Sequence, residues 1–145
     1  MTMRILTLCV GNICRSPIAE ALLARELPAH TVVSAGLGAL IGQPADALAQ
    51  AVAAEHGLDL SAHRAQQVSS WLCQQSDLIL VMEQGHKSEL ERQLPAVRGK
   101  VYRIGHLGQF DVADPYRLPR SAFDEAYAAI ARGVSDWVPR IQQLS

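Results

Sequence analysis

Residues 9–17 read Cys-Val-Gly-Asn-Ile-Cys-Arg-Ser-Pro, and this stretch decides the fold because it joins a buried strand to a helix. The apolar, β-favouring run at residues 4–10 leads into it and predicts the strand. Ser16 and Pro17 are preferred residue types for the N-cap and the first position of a helix. We therefore expect a cysteine at the end of the strand and an arginine at the beginning of the helix, with five residues between them.

A tight loop at a helix N-terminus binds oxyanions, because its free amides and the helix dipole both present positive charge. Gly11 and Asn12 tolerate the left-handed backbone conformations that such a loop needs. The guanidinium of Arg15 can hold two phosphate oxygens with its planar fork. Cys9 faces the same positive field, which favours the thiolate, and Ser16 can donate a hydrogen bond to it. The predicted phosphate-binding loop comprises Val10, Gly11, Asn12, Ile13, Cys14 and Ser16.

Strands and helices alternate along the rest of the chain. Apolar, β-favouring runs predict further strands at residues 31–35, 77–82 and 100–104. Apolar spacing and helix stop signals predict helices at residues 17–27, 45–56, 69–74 and 85–94, and a long final helix over residues 123–141. Pro139 lies inside that last helix, so we expect a kink or a break near Val138. The alternation predicts an α/β fold: a single domain over residues 1–145, with a four-stranded parallel sheet and helices on both faces.

Ligands of parallel sheets bind beyond the carboxyl ends of the strands, where Cys9 is expected. Transfer of a phosphoryl group from an ester to Cys9 would need a general acid that protonates the leaving group. The loop at residues 105–119 offers Asp111 and Asp114. Pro115 extends and stiffens the backbone before it, which favours Asp114, but an Asp-Pro pair is equally a plain loop signal. The residues alone leave this choice open.

The composition excludes several classes of protein. A formal charge of −1 argues against a general nucleic-acid or membrane-surface binder. No run approaches the roughly 18 apolar residues of a membrane span, and the start of the chain lacks a signal-peptide layout, so we expect a cytoplasmic protein. The three cysteines, Cys9, Cys14 and Cys73, fit reactive thiols in a reducing compartment better than a disulfide framework. Cys73 is expected to be a buried apolar residue.

The loop at residues 9–17 resembles the signature loop of the low-molecular-weight protein tyrosine phosphatases. The likeness covers nearly the whole chain, through Ser34-Ala35-Gly36, His63, residues 77–83 and Asp114-Pro115-Tyr116. The sequence of residues 34–40, Ser-Ala-Gly-Leu-Gly-Ala-Leu, most resembles the bacterial branch of the family, which accompanies capsule and exopolysaccharide tyrosine kinases.

This resemblance implies hydrolysis of phosphotyrosine in two steps. Cys9 attacks phosphorus, Arg15 and the loop amides hold the phosphate oxygens, and Asp114 is the general acid. The phosphocysteine intermediate is then hydrolysed to inorganic phosphate, and no metal or cofactor is called for because the loop supplies the positive charge. The implied partner is a tyrosine-phosphorylated protein, the C-terminal tail of a bacterial tyrosine kinase in exopolysaccharide or capsule synthesis and export. Arg117 and Arg120, beside the cleft, are expected to face its negative charge, although surface arginines are usually only solvated.

The resemblance also implies supporting roles. Asn12, Ser34 and His63 are expected to hydrogen-bond to one another beneath the loop. A reversible disulfide between Cys9 and Cys14 is implied as protection of the nucleophile against over-oxidation.

At the mouth of the cleft, an aromatic ring of the substrate is expected to pack between Ile13, Leu40 and Tyr116. Leu40 is aliphatic where relatives often carry an aromatic side chain, which weakens the expected grip on small aryl phosphates.

Two other functions fit parts of this pattern. A thiol-coupled arsenate reductase of the same fold needs further cysteines beyond the third strand, and the chain has none after Cys73. A non-catalytic module that binds phosphate or phosphotyrosine has no use for an acid such as Asp114.

Overall fold

Four short strands form one parallel sheet at the centre of the protein, in a computed structural model that describes residues 1–145. The strands are β1 (Arg4–Cys9), β2 (Thr31–Gly36), β3 (Leu78–Val81) and β4 (Val101–Arg103). Their order across the sheet is β2-β1-β3-β4, and every neighbouring pair is parallel. The predicted four-stranded parallel sheet is confirmed, and Cys9 is the last residue of β1, opposite Gly36.

Helices cover both faces of this sheet, as predicted. They are α1 (Arg15–Glu26), α2 (Ala47–Glu55), α3 (Ser70–Gln75), α4 (Gln84–Gln93) and α5 (Arg120–Leu144), with a 3-10 turn at Pro95–Val97. On one face α1, α2 and α5 pack against the larger hydrophobic cluster, which takes Ile5 and Leu80 from the sheet. On the other face α3 and α4 pack against a smaller cluster that takes Leu6 and Ile79. Because consecutive strand residues point to opposite faces, apolar residues in a continuous run fill both clusters.

The first helix begins earlier than predicted. It starts at Arg15 rather than at Pro17, and Ser16 is not its N-cap; Cys14 occupies the N-cap position and no side chain caps the first turn. The buried Ser16 hydroxyl instead lies 3.0 Å from the Cys9 sulfur and accepts a hydrogen bond of 2.8 Å from Asn12. The prediction was wrong because a serine at a helix start can be engaged by tertiary contacts rather than by its own helix.

The last helix continues through Pro139. It is unbroken from Arg120 to Leu144, so the predicted break near Val138 is absent. Trp137 and Ile141 are buried on either side of the proline and hold both turns against the core. Ser135, whose carbonyl loses its usual donor to the proline ring, is exposed, so water can satisfy that carbonyl.

None of the helices combines the length and the apolar character that spanning a membrane requires.

Candidate active site

The loop after β1 turns its carbonyls outward and ties each of them to neighbouring segments. The carbonyls of residues 9–13 accept, in chain order, from the amides of Leu37 (2.9 Å), Gly38 (2.9 Å) and Leu40 (3.1 Å), the Nε2 of His63 (2.6 Å) and the amide of Asp46 (2.8 Å). The amides of residues 10–14 donate to no protein group. A loop with carbonyls outward and amides unpaired is a nest for an oxyanion, and the N-terminus of α1 completes it.

Asn12 fixes the sharpest bend of this loop. Its φ is +59°, a left-handed conformation that asparagine tolerates better than most residues. The fully buried side chain donates to the hydroxyls of Ser16 (2.8 Å) and Ser34 (3.0 Å), and its Oδ1 accepts from the Gln66 amide at 2.9 Å. His63 holds the Asn12 carbonyl, so the structure brings together the three residues that the resemblance groups beneath the loop.

The Cys9 thiol lies at the floor of the loop, where the residue is 2% exposed. Its sulfur is 3.0 Å from the Ser16 hydroxyl oxygen. That oxygen accepts a hydrogen bond from Asn12, and its single proton can be donated to the sulfur or, over 3.5 Å, to the Ala35 carbonyl. Ser16 can therefore stabilise a thiolate on Cys9, both as a nucleophile and as a leaving group.

Arg15 is buried, and its guanidinium is held along one edge only. Nη1 donates to a carboxylate oxygen of Glu83 at 2.6 Å and to the carbonyl of Val112 at 2.8 Å. Nε is buried and makes no hydrogen bond to the protein, and Nη2 is 3.7 Å from an oxygen of Asp114. The edge formed by Nε and Nη2 is thus available for two oxygens of a phosphate.

The loop that precedes α5 carries Asp114 to the rim of the same cleft. Its buried Val112 donates to the Met82 carbonyl at 2.9 Å and accepts from Arg15, which anchors the loop to the end of β3 and to the guanidinium. Asp114 accepts from the Tyr116 amide at 3.1 Å and keeps a side chain that is 48% exposed. A carboxyl group in this position can meet the leaving oxygen of a bound phosphate ester.

Asp111, the other candidate acid, points elsewhere. It pairs with Arg103 at 3.0 Å and accepts from the Gln84 amide at 3.1 Å, outside the residues that line the cleft. Of the two aspartates, only Asp114 lines the cleft.

A cleft of about 150 Å³ opens above Cys9. Its walls include the three predicted mouth residues, of which Ile13 is nearly buried, while Leu40 and Tyr116 are exposed at 42% and 37%. The remaining lining residues are Cys9, Val10, Gly11, Cys14, Arg15, Gly38 and Asp114. The cleft thus combines an anion site at its floor with apolar walls at its mouth.

All three cysteines are free thiols. Burial raises the pKa of Cys14, and the nearby Asp46 and Cys9 add to this shift. Burial likewise raises the pKa of Cys73, against the opposing charge of Lys100. Both groups are therefore neutral thiols near neutral pH, and Cys73 is buried at 1% exposure, as predicted.

Two carboxylates of the site were not singled out from the sequence. Glu83 holds Arg15, and Glu20 accepts from the Ser34 hydroxyl at 2.5 Å. The position of Glu83 gave a usable signal, because it lies just beyond the carboxyl end of β3, at the same edge of the sheet as Cys9.

The two arginines named for a charged partner differ in their surroundings. Arg120 is paired with Glu55 and Asp124, which neutralise part of its charge. The Arg117 guanidinium lies 5.2 Å from the centroid of the Tyr116 ring, beside the cleft.

A parallel sheet with a thiol at the floor of an anion-binding loop and a carboxylate at its rim is the arrangement of a cysteine-based phosphatase. The chain belongs to the low molecular weight phosphotyrosine protein phosphatase family, whose family model matches residues 4–145. It is accordingly a protein tyrosine phosphatase.

Individual relatives match over nearly their full length. The chain is 54% identical over 144 residues to the probable low molecular weight protein-tyrosine-phosphatase EpsP of Ralstonia nicotianae, covering 99% of each protein. It is 48% identical over 135 residues to the phosphatase Wzb of Salmonella typhimurium, covering 92% of this chain and 91% of the relative. Among solved structures, Vibrio vulnificus Wzb in complex with benzylphosphonate superposes with a TM-score of 0.92 at 48% identity, covering 95% of this chain and 98% of that one.

Proposed function

We propose that the chain hydrolyses phosphotyrosine through a phosphocysteine on Cys9. In the first step the Cys9 thiolate attacks phosphorus in line, while the loop amides and the free edge of Arg15 hold the non-bridging oxygens. The bond between phosphorus and the phenolic oxygen breaks, and Asp114 gives its proton to that oxygen. Tyrosine leaves, and the phosphoryl group remains on sulfur.

In the second step Asp114, now a carboxylate, takes a proton from a water molecule. The oxygen of that water attacks phosphorus, the sulfur–phosphorus bond breaks, and inorganic phosphate leaves. Ser16 stabilises the departing thiolate through the hydrogen bond described above. The observation that carries this mechanism is the loop of unpaired amides around Cys9, which shares one cleft with Arg15 and Asp114.

The walls of the cleft support an aryl phosphate as the substrate. Ile13, Leu40 and Tyr116 present apolar surface to a ring that stands between the phosphate and the protein backbone of the substrate. A solved relative bound to benzylphosphonate, which carries an aromatic ring next to its phosphonate, is consistent with this. A phosphoserine lacks the ring, so it would leave these apolar walls without a partner.

The physiological substrate we propose is the phosphorylated C-terminal tail of a bacterial tyrosine kinase in exopolysaccharide or capsule synthesis, which this protein meets in the cytoplasm. This rests on the resemblance of residues 34–40 to the phosphatases that accompany such kinases. A preference for that phosphorylated tail over phosphotyrosine peptides of unrelated sequence, measured as kcat/KM, would support it. Equal kcat/KM values for all peptides would contradict it.

The two-step mechanism is tested by replacing the nucleophile and the acid separately. Phosphate release from a phosphotyrosine peptide, measured with EDTA present, should be abolished in Cys9→Ser, which should still bind inorganic phosphate. Asp114→Asn should lose about a hundredfold to ten-thousandfold in kcat/KM, as expected for general acid catalysis. The loss should be smaller for p-nitrophenyl phosphate, whose leaving group needs less protonation.

Two matched variants serve as controls. Asp111→Asn removes a carboxylate from the same loop but outside the cleft, and Cys73→Ala removes a buried thiol far along the chain from the loop. Both should retain turnover. Turnover in Cys9→Ser, or equal losses in Asp111→Asn and Asp114→Asn, would contradict the assigned roles.

We further infer that Cys14 protects Cys9 from oxidation. Peroxide oxidises the Cys9 thiolate to a sulfenic acid, and the neighbouring Cys14 thiol displaces water from it to close a disulfide. Both residues line the cleft. Activity after peroxide and then thiol treatment should return in the wild type and remain lost in Cys14→Ser; full recovery of that variant would exclude the protection.

A further inference from the structure

His86 lies behind the phosphate-binding arginine, on the first turn of α4. Its side chain is 13% exposed, and its Nε2 is 3.4 Å from the Oε2 of Glu83. That same oxygen accepts the 2.6 Å hydrogen bond from Arg15. The histidine and the arginine therefore share one carboxylate oxygen, and the mechanism above gives the histidine no role.

The second ring nitrogen of His86, Nδ1, is buried and makes no hydrogen bond to the protein. A protonated imidazole has two donors to satisfy, so the buried ring is better accommodated as the neutral tautomer with its proton on Nε2, towards Glu83. In that form the ring supports the carboxylate without adding a second positive charge beside Arg15.

The charges that face His86 come from three directions. Glu83 precedes α4, Arg15 comes from the start of α1, and Asp111 and Asp114 come from the loop before α5. Burial lowers the pKa of His86, and Arg15 lowers it further, while the three carboxylates oppose that shift. Asp111 is also neutralised in part by its ion pair with Arg103.

We propose that His86 is a positioning residue for Arg15, which acts through the shared Glu83 carboxylate. Neutral His86 lies 3.4 Å from the Glu83 oxygen that accepts from Nη1 of Arg15 and confines that carboxylate by contact, and this keeps the Nε and Nη2 edge of the guanidinium aimed at the phosphate. Protonated His86 competes with Arg15 for the same oxygen and loosens the guanidinium. The inference rests on the proposed function of Arg15 in phosphate binding.

This arrangement makes phosphate binding sensitive to acid. As the pH falls and His86 takes up a proton, kcat/KM should decrease beyond the decrease that titration of the substrate causes. The second ionisation of a phosphate monoester, at about pH 6, is a property of the substrate and is common to all enzyme variants. A difference in profile between variants therefore reports on the enzyme.

Two substitutions separate the contact from the charge. His86→Leu removes the donor, and at pH 7 it should raise both KM for a phosphotyrosine peptide and the inhibition constant of inorganic phosphate about fivefold to tenfold, with a smaller change in kcat. His86→Gln places an amide that donates but does not titrate. It should stay within about twofold of the wild type at pH 7 and lose the additional decrease in kcat/KM below pH 6.

His106→Gln is the matched control, because His106 packs against Tyr102 and Trp137 and does not line the cleft. His106→Gln should keep the wild-type KM, the wild-type inhibition constant of phosphate and the wild-type pH profile of kcat/KM. The proposal is overturned if His86→Gln keeps the wild-type acid decrease, or if a folded His86→Leu leaves KM and the phosphate inhibition constant unchanged. If His86→Leu does not fold, the pH profile of kcat/KM in His86→Gln alone tests the proposal. Failure of the proposed function is a separate result, namely no turnover in the wild type.

Discussion

Asn12 links the backbone of the phosphate-binding loop to the core beneath it. Its side chain donates hydrogen bonds to the hydroxyls of Ser16 and Ser34 and accepts one from the amide of Gln66, while its backbone adopts a positive φ. One residue thus fixes the loop conformation and occupies the Ser16 oxygen as an acceptor, so that the Ser16 proton can be donated to the Cys9 sulfur 3.0 Å away. Its contribution to activity and its contribution to stability have different physical origins and can be separated.

Asn12→Ala and Asn12→Gly lose the same hydrogen bonds but differ in the backbone. We expect both to lower kcat/KM strongly, because Ser16 is no longer oriented by the amide. Asn12→Ala should be the less stable of the two in urea unfolding, since a left-handed conformation costs an alanine about 1–2 kcal/mol that a glycine is spared. Equal stabilities would show that the positive φ is relieved in the variant and that the loop is less rigid than described.

Residue chemistry predicted the members of the site better than their partners. Cys9, Arg15 and Asn12 could be chosen because a short loop imposes its own chemistry on consecutive residues. The pairing of Arg15 with Glu83 joins residues 68 positions apart in the chain, so it depends on how β1 and β3 align in the sheet. Local sequence carries no information on that alignment.

At the scale of elements, the segment after β2 braces the phosphate-binding loop. Its amides hold the carbonyls of Cys9, Val10 and Gly11, which requires very close approach at the end of β2. A Cβ atom at Gly36 would collide with the Val10 carbonyl oxygen. That oxygen is already bonded to the amide of Gly38, so it cannot move without releasing the brace.

Gly36→Ala should therefore disturb the loop rather than the fold as a whole. We expect a loss of about 1–3 kcal/mol in the free energy of unfolding, and an inhibition constant for phosphate raised about tenfold to a hundredfold. Gly85→Ala is the control, since nothing lies within 4 Å of its Cβ position and alanine favours the helix α4. Phosphate affinity that survives in Gly36→Ala would mean that the brace does not set the loop geometry.

Elements were predictable to the extent that their own residues decide them. The strands could be predicted from apolar runs, whose residues fill clusters on both faces of the sheet. The buried face of α5 could be predicted from apolar residues that recur three or four positions apart. The start of α1 and the continuity of α5 at Pro139 were not predictable, because burial of Ser16 and of Trp137 decides them. In both cases tertiary packing outweighs a local preference.

At the scale of the whole molecule, each hydrophobic cluster encloses one thiol with a raised pKa. Cys14 belongs to the larger cluster and Cys73 to the smaller one. In an unfolded chain both thiols have a pKa near 9.0, whereas in the folded protein they keep their protons to higher pH. Their stabilising effect is therefore complete below about pH 9 and is lost as the pH rises above it.

Cys73→Ala tests this linkage in the cluster that lies away from the catalytic loop. The free energy of unfolding, measured by urea titration under reducing conditions between pH 7 and 11, should fall on the alkaline side in the wild type. In Cys73→Ala that fall should be shallower, by at most about 1.4 kcal/mol per pH unit, the limit for one titrating group. Val97→Ala in the same cluster removes apolar volume without a titrating group, so it should lower stability at every pH and keep the wild-type slope. If the two variants show the same alkaline slope, ionisation of the buried thiol contributes nothing to unfolding, and other groups must account for the loss.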